Sequence, residues 1–172
     1  CRPVVIAGLV GAWRMFWWDR FDGSMVRELA VDTEHGEAAW SESRNATIYL
    51  PKEERDEIVY VPIADMPDIV GDEAVRAHAL WIGAPDEETG DRALRYSRMT
   101  LQGRTWSSPS TLALSGSAYT LADGGDGVLH LVYVQPAHSS QSPAGIYSRR
   151  STDGGVSWRA ARPLVNSAYF RL

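Results

Sequence analysis

Two histidines, a short run of carboxylates and two tyrosines each followed by Ser-Arg are the residues of this chain whose types could do chemistry. His78 and His130 invite a metal reading, but they lie 52 residues apart and neither has a carboxylate at the close spacing a metal site uses. Asp86-Glu87-Glu88 with Asp91 offers several oxygens to Ca²⁺. A charged cluster in a polar stretch reads more simply as a solvated loop tip. Tyr96-Ser97-Arg98 and Tyr147-Ser148-Arg149 repeat the same triplet. Recurrence assigns the tyrosines and arginines to a scaffold, as packed hairpin residues, and not to a nucleophile or an anion site. Gly124-Gly125 sits in an Asp-rich turn that would repel phosphate. The expectation is therefore no catalytic group, no metal and no cofactor.

The elements that position these residues are legible around one stretch, Ser151-Thr152-Asp153-Gly154-Gly155-Val156-Ser157-Trp158. Asp153 can accept backbone N–H groups inside a hairpin turn, the glycines supply positive φ, and Trp158 is expected to enter the next strand with its ring under the turn. The stretch resembles the Asp-box of the sialidase and BNR-repeat family, on Ser151, Asp153, Gly155, Ser157 and Trp158. A chance match in a chain this size has a probability on the order of 10⁻⁴. The resemblance implies an all-β fold of β-propeller blades. It implies nothing about activity, because in that family the Asp-box holds the fold away from the catalytic centre.

A degraded copy lies upstream. His78 to His130, Trp106 to Trp158 and Leu112 to Leu164 are each separated by 52 residues. The earlier turn, Met99 to Trp106, keeps Gly103, Thr105 and Trp106 but lacks the Asp, and aligning the two Tyr-Ser-Arg triplets makes it one residue shorter. Each unit reads as four short strands; in the later one these are 118–122, 128–134, the Tyr-Ser-Arg strand and a strand from Trp158 to Leu164. The polar stretches 84–92 and 135–145 join the second and third strands. The expected division is 1–60 for a degenerate N-terminal blade, 61–113 for the blade with the degraded turn, 114–166 for the blade with the intact turn, and 167–172 for the start of a next blade. Within the first part, 12–20 reads as an apolar strand, Phe21 to Ser24 as a hairpin turn and Val26 to Val31 as an outer strand. Lys52 to Glu57 reads as a solvated loop or one helical turn.

Composition narrows the partners. Twenty-two acidic against 17 basic residues give a net charge of −5, with no basic stripe to track phosphates, so nucleic acid is a poor partner. Seven Trp and seven Tyr beside a single lysine, Lys52, suit packing between stacked sheets and also contact with a glycan or protein. The apolar stretch from Pro3 to Trp18 contains Arg14 and is shorter than the roughly 20 residues a helix needs to cross a bilayer, so it reads as core strands. The only cysteine, Cys1, excludes an intrachain disulfide. Two readings of it stay open: the acylated first residue of a mature lipoprotein, tethering an extracellular or cell-envelope protein to a membrane, or the edge of a partial reading frame.

Closed propellers have typically four to eight blades, and 172 residues at this period hold about three. The expectation is a segment of a six-bladed sialidase-like propeller, completed by more chain or by association. The leading functional reading is an exported, non-catalytic binding or structural protein presenting a surface to a glycan or protein partner. The alternative is a fragment of a sialidase-like exo-glycosidase acting on terminal sialic acids. Phe170-Arg171-Leu172 resembles the start of that family's Phe-Arg-Ile/Leu-Pro motif but follows the Asp-box where the motif normally precedes it, so a strand with an exposed arginine is the simpler expectation.

Overall fold

The computed structural model describes residues 3–7, 13–19, 25–32, 39–40, 44–45, 49–51, 58–60, 68–72, 76–99, 106–136 and 143–166. Every regular element among them is a β-strand. No helix of the described residues is long and apolar enough to cross a membrane.

Three antiparallel sheets follow one another along the chain. The first contains β1 (Val4–Ala7), β2 (Trp13–Asp19), β3 (Met25–Asp32) and β4 (Ala39–Trp40) in that spatial order, with β5 (Arg44–Asn45) also paired to β3. The expected N-terminal hairpin is present, since β2 pairs with β3 from Trp13↔Val31 to Asp19↔Met25. A separate hairpin joins β6 (Tyr49–Pro51) to β7 (Ile58–Tyr60). The charged stretch 52–57 that links them lies outside the described residues.

The second sheet has β8 (Asp68–Gly71), β9 (Ala77–Pro85), β10 (Arg92–Arg98) and β11 (Ser110–Ala113) in order. The third repeats that arrangement with β12 (Ala118–Asp123), β13 (Leu129–Gln135), β14 (Gly145–Ser151) and β15 (Arg162–Asn166).

Period-two patterning explains why these segments are strands and which way they face. On β13, Leu129, Leu131 and Tyr133 are buried toward the second sheet, while His130 on the other face is exposed. On β9, both faces are covered. Ala77, Ala79 and Trp81 pack with Ile6 and Phe16 of the first sheet; Leu80, with Leu94 and Tyr96 of β10, packs with Leu121, Leu129, Leu131 and Tyr147 of the third. Burying a leucine side chain this completely contributes about 1.5–3 kcal/mol, so these two interlayer cores hold the stack together.

Strand register revises the alignment of the two units. Val70 pairs with His78 and Ala122 with His130; Leu80 pairs with Tyr96 and Val132 with Ser148; His78 pairs with Arg98 and His130 with Arg150. Both sheets carry a bulge at the same place, between Leu94 and Arg95 and between Ile146 and Tyr147. The Ser107 N–H donates to the Arg98 carbonyl at 2.7 Å and the Arg159 N–H to the Arg150 carbonyl at 2.9 Å. All of these obey an ungapped shift of 52, so the earlier turn is not one residue short. Tyr96 therefore stands where Ser148 does, and Arg98 where Arg150 does. The matching Tyr-Ser-Arg triplets are offset by one residue, which puts Tyr96 and Tyr147 on opposite faces of their sheets.

A second correction concerns the outer strands, expected from Trp106 and from Trp158. After one backbone bond to the neighbouring strand each chain leaves the ladder, and pairing resumes only at Ser110 and Arg162. Each gap holds one more step on the outer strand than on its partner, three from Ser107 to Ser110 against two from Arg98 to Tyr96 and three from Arg159 to Arg162 against two from Arg150 to Ser148, so one residue has no pairing position.

Candidate functional site

The turn from Ser151 to Trp158 closes the β14–β15 end of the third sheet. The Asp153 carboxylate accepts from the Ser157 N–H at 2.9 Å and 3.1 Å, from the Ser157 hydroxyl at 2.5 Å and from the Ser151 hydroxyl at 2.7 Å. The Gly155 N–H donates to Ser151 Oγ at 2.9 Å, and the Gly154 N–H to the Gly127 carbonyl at 2.8 Å. Bonds from the Ser157 side chain, then its backbone, then Ser151 favour the ionised form and hold the Asp153 pKa at about 2. Gly154 and Gly155 have φ of +65° and +79°, values an L side chain rarely adopts. Asp153 thus spends its oxygens on its own turn.

Under the turn lies a polar cluster from the second sheet that sequence reasoning missed. Buried Asp72 accepts from the Arg76 N–H at 2.9 Å and from Arg76 Nε at 2.6 Å. His78, fully buried, places Nε2 3.2 Å from Asp72 Oδ2 and Nδ1 2.8 Å from the Tyr96 hydroxyl. A carboxylate only accepts, so Nε2 carries the proton and Nδ1 accepts from the phenol. Burial lowers the His78 pKa against the opposing pull of Asp72, and burial raises that of Tyr96, so the pair stays neutral imidazole and phenol. Burial disfavours the Asp72 carboxylate, yet bonds from the Arg76 N–H, His78 and the Arg76 guanidinium together hold its pKa below the ordinary value.

The two groups meet across the sheet boundary. A Cβ on Gly154 would stand 2.7 Å from Arg76 Nη2, and one on Gly155 would collide with the Tyr96 hydroxyl. The Trp158 ring meets Tyr96 of the preceding sheet edge-on, with centroids 5.2 Å apart. Trp106 makes the same kind of contact one sheet earlier, edge-on to Phe16 at 6.1 Å. Gly103, Thr105 and Cys1 lie outside the described residues.

The other end of the strands carries a cleft of about 390 Å³ lined by Ile82, Gly90, Asp91, Arg92, Ser115, Gly116, Ser117 and Pro136. Three connections form it: the β9–β10 turn, the β11–β12 link and the start of the segment after β13. Asp86 organises the first, its Oδ1 accepting from the N–H groups of Glu88 and Thr89 at 3.0 Å and 2.9 Å and from the Thr89 hydroxyl at 3.1 Å. Those bonds, from the Thr89 backbone foremost, lower the Asp86 pKa. The carboxylate expected at a loop tip is therefore committed to its turn. Arg92 Nε donates to the Gly83 carbonyl at 3.1 Å, which fixes the guanidinium, and the Gly116 N–H donates to the Arg92 carbonyl at 2.9 Å, which docks the β11–β12 link. Asp91, Arg92, Ser115 and Ser117 thus converge on one concave surface. No group of three metal-ligating side chains occurs among the described residues.

Of the residues singled out from sequence, His78 and Tyr96 meet in one network, whereas His130 is exposed and Tyr147 stacks on Tyr133 and donates to the Pro143 carbonyl at 2.7 Å. Arg149 reaches the Arg159 carbonyl at 3.4 Å.

Antiparallel sheets packed face to face in chain order, the second and third each placing a tryptophan, Trp106 and Trp158, edge-on to an aromatic ring of the sheet before it, define a segment of a β-propeller. The chain belongs to the BNR repeat-like domain family, whose model matches residues 76–172. No curated protein matches the chain. Among solved structures it is similar to an exo-β-1,3-galactanase from Phanerochaete chrysosporium with β-1,3-galactotriose, at 16% identity and a TM-score of 0.49 over 95% of this chain and 35% of that one. An exo-β-1,3-galactanase from Clostridium thermocellum is similar at 17% identity and a TM-score of 0.48 over 96% and 36%. A GH43 β-1,3-galactosidase with galactodeoxynojirimycin follows at 10% identity and 0.48 over 94% and 56%. The chain spans between about a third and just over half of these proteins.

Proposed function

We propose that this chain is a non-catalytic propeller segment that binds a glycan in the cleft between its second and third sheets. The observation that carries the reading is the make-up of that cleft. Its size suits a small ligand. A carboxylate, a guanidinium and two serine hydroxyls can exchange bidentate and single hydrogen bonds with sugar hydroxyls, while Ile82 offers an apolar surface to a ring face. Hydrolysis of a glycosidic bond asks for two carboxyl groups on either side of the bond, and among the described residues of this lining Asp91 is the one carboxylate. Asp153 and Asp72 are held by their own hydrogen bonds at the opposite end of the strands.

The reading includes export, with Cys1 as the point of attachment to a membrane lipid; intact mass of the native N-terminus tests that part. Calorimetric titration of the chain with neutral and acidic oligosaccharides tests binding, and a fluorogenic glycoside assay in parallel tests turnover. Saturable binding abolished by Asp91→Asn, without turnover, supports the proposal. Turnover sensitive to Asp91→Asn would replace it with the glycosidase alternative.

A further inference from the structure

Around the cleft between the second and third sheets, backbone groups and charged side chains are treated differently by the fold. The Asp86 N–H donates to the Asp91 carbonyl at 2.8 Å, the Gly90 N–H to the Asp86 carbonyl at 2.9 Å, the Asp91 N–H to Thr89 Oγ1 at 3.2 Å and the Ser117 N–H to the Val134 carbonyl at 3.1 Å. The wall is thus held by its own hydrogen bonds. The charged heads on it are not. Neither the Asp91 carboxylate nor the two Nη groups of Arg92 bond to any protein group, and the two side chains form no ion pair with each other. The carboxylates of Asp72, Asp86 and Asp153, by contrast, each accept from neighbouring donors.

The sequence explains why these opposite charges stand unpaired. Asp91 and Arg92 are consecutive where β10 begins, and consecutive side chains of an extended backbone diverge, so the two heads share one lining without neutralising each other. Arg92 Nε is tied to the Gly83 carbonyl at 3.1 Å, which leaves the Nη edge as its remaining donors.

Two fixed charges of opposite sign select a ligand through the water it displaces. A neutral sugar seated on both strips each ion of solvent and returns only neutral partners. A purely acidic sugar gains at Arg92 but brings like charge against Asp91, and a purely basic one meets the reverse conflict. Only a ligand carrying both signs satisfies both residues.

We propose that this cleft takes a zwitterionic sugar, its ammonium on the Asp91 carboxylate and its anionic oxygen group on the Arg92 guanidinium edge, with Ser115 and Ser117 bonding ring hydroxyls. This deepens the glycan reading and rests on it. Charge-assisted bonds at two points fix the ligand's orientation as well as its class.

Calorimetric titration of the 172-residue chain with four sugars that share one ring isolates each charge: glucosamine 6-phosphate, N-acetylglucosamine 6-phosphate, glucosamine and N-acetylglucosamine. Mildly acidic buffer keeps the sugar amine protonated. A parallel titration with 2-amino-2-deoxyglucuronate replaces the phosphate by a carboxylate, and the tighter of the two identifies the anion. The doubly charged sugar should bind at least about tenfold tighter than either singly charged one. Arg92→Gln should remove the advantage of the anion and keep that of the amine, and Asp91→Asn the reverse. Glu87→Gln, exposed on the same turn but outside the lining, should leave both advantages in place.

Affinities within about threefold of one another across the wild-type series, which needs no variant, would overturn the proposal, as would charge advantages that survive both substitutions. Neutral oligosaccharides that still bind alongside such a result leave the glycan reading standing. Absence of binding by every oligosaccharide and monosaccharide overturns both.

Discussion

Gly155 lies against the Tyr96 hydroxyl, so closely that the phenol occupies the space where a Cβ at position 155 would stand. The turn of one sheet and the buried network of its neighbour are thereby one packed unit. Gly155→Ala meets two penalties, the collision and a φ of +79°. Expected is a loss of about 2–4 kcal/mol in denaturant unfolding, while Val156→Ala, at an exposed position of the same turn, should change stability by less than about 0.5 kcal/mol.

The phenol also matters as a donor. Tyr96→Phe keeps the ring under Trp158 but leaves His78 Nδ1 buried without its partner. A buried acceptor left unsatisfied costs about 1–3 kcal/mol. Chemical denaturation should show that loss with an unchanged native tryptophan emission spectrum. Trp158→Ala should instead alter the emission and cost more, because it removes the aromatic contact as well.

Stability should fall on acidification in two windows. His78 has its pKa lowered from 6.5, so the unfolded chain takes up that proton first and gains relative to the fold as pH drops below about 6.5. Asp153 and Asp72 have pKa values lowered from 3.8, and their contributions, present above that value, are lost as pH falls through it toward about 2 for Asp153. Thermal melts across this range should show the upper slope reduced in His78→Gln and the lower slope reduced in Asp153→Asn.

Breaking the Asp153 turn should be felt as stability and not as binding. Asp153→Ala removes four acceptor contacts at an exposed turn, where a capping side chain is worth about 0.5–2 kcal/mol. Arg92→Ala, at the other end of the strands, should lower glycan affinity at least tenfold with the midpoint of unfolding shifted by no more than a few degrees. Equal loss of affinity in both variants would place the ligand elsewhere.

Much of the fold was written locally. The Ser151–Trp158 turn, the strand patterning of β12 to β14 and the N-terminal hairpin follow from residues adjacent in the chain, where glycine φ, Asp capping and period-two alternation act without distant partners. Register was less legible. Two Tyr-Ser-Arg triplets suggested an alignment that the backbone pairing shifts by one residue, because a motif of three residues weighs less than the faces of a whole sheet.

The sequence by itself determined that this chain forms β-sheets at a 52-residue period and that Asp153 and its glycines make a turn, since those depend on local backbone preference and hydrogen bonding. Only the tertiary structure decided that Asp72, Arg76, His78 and Tyr96 form one network beneath Gly155, and that Asp91, Arg92, Ser115 and Ser117 face one cleft. Both groupings join residues from different connections or sheets, and stacking of the sheets, driven by burial of the leucine layers, brings them together.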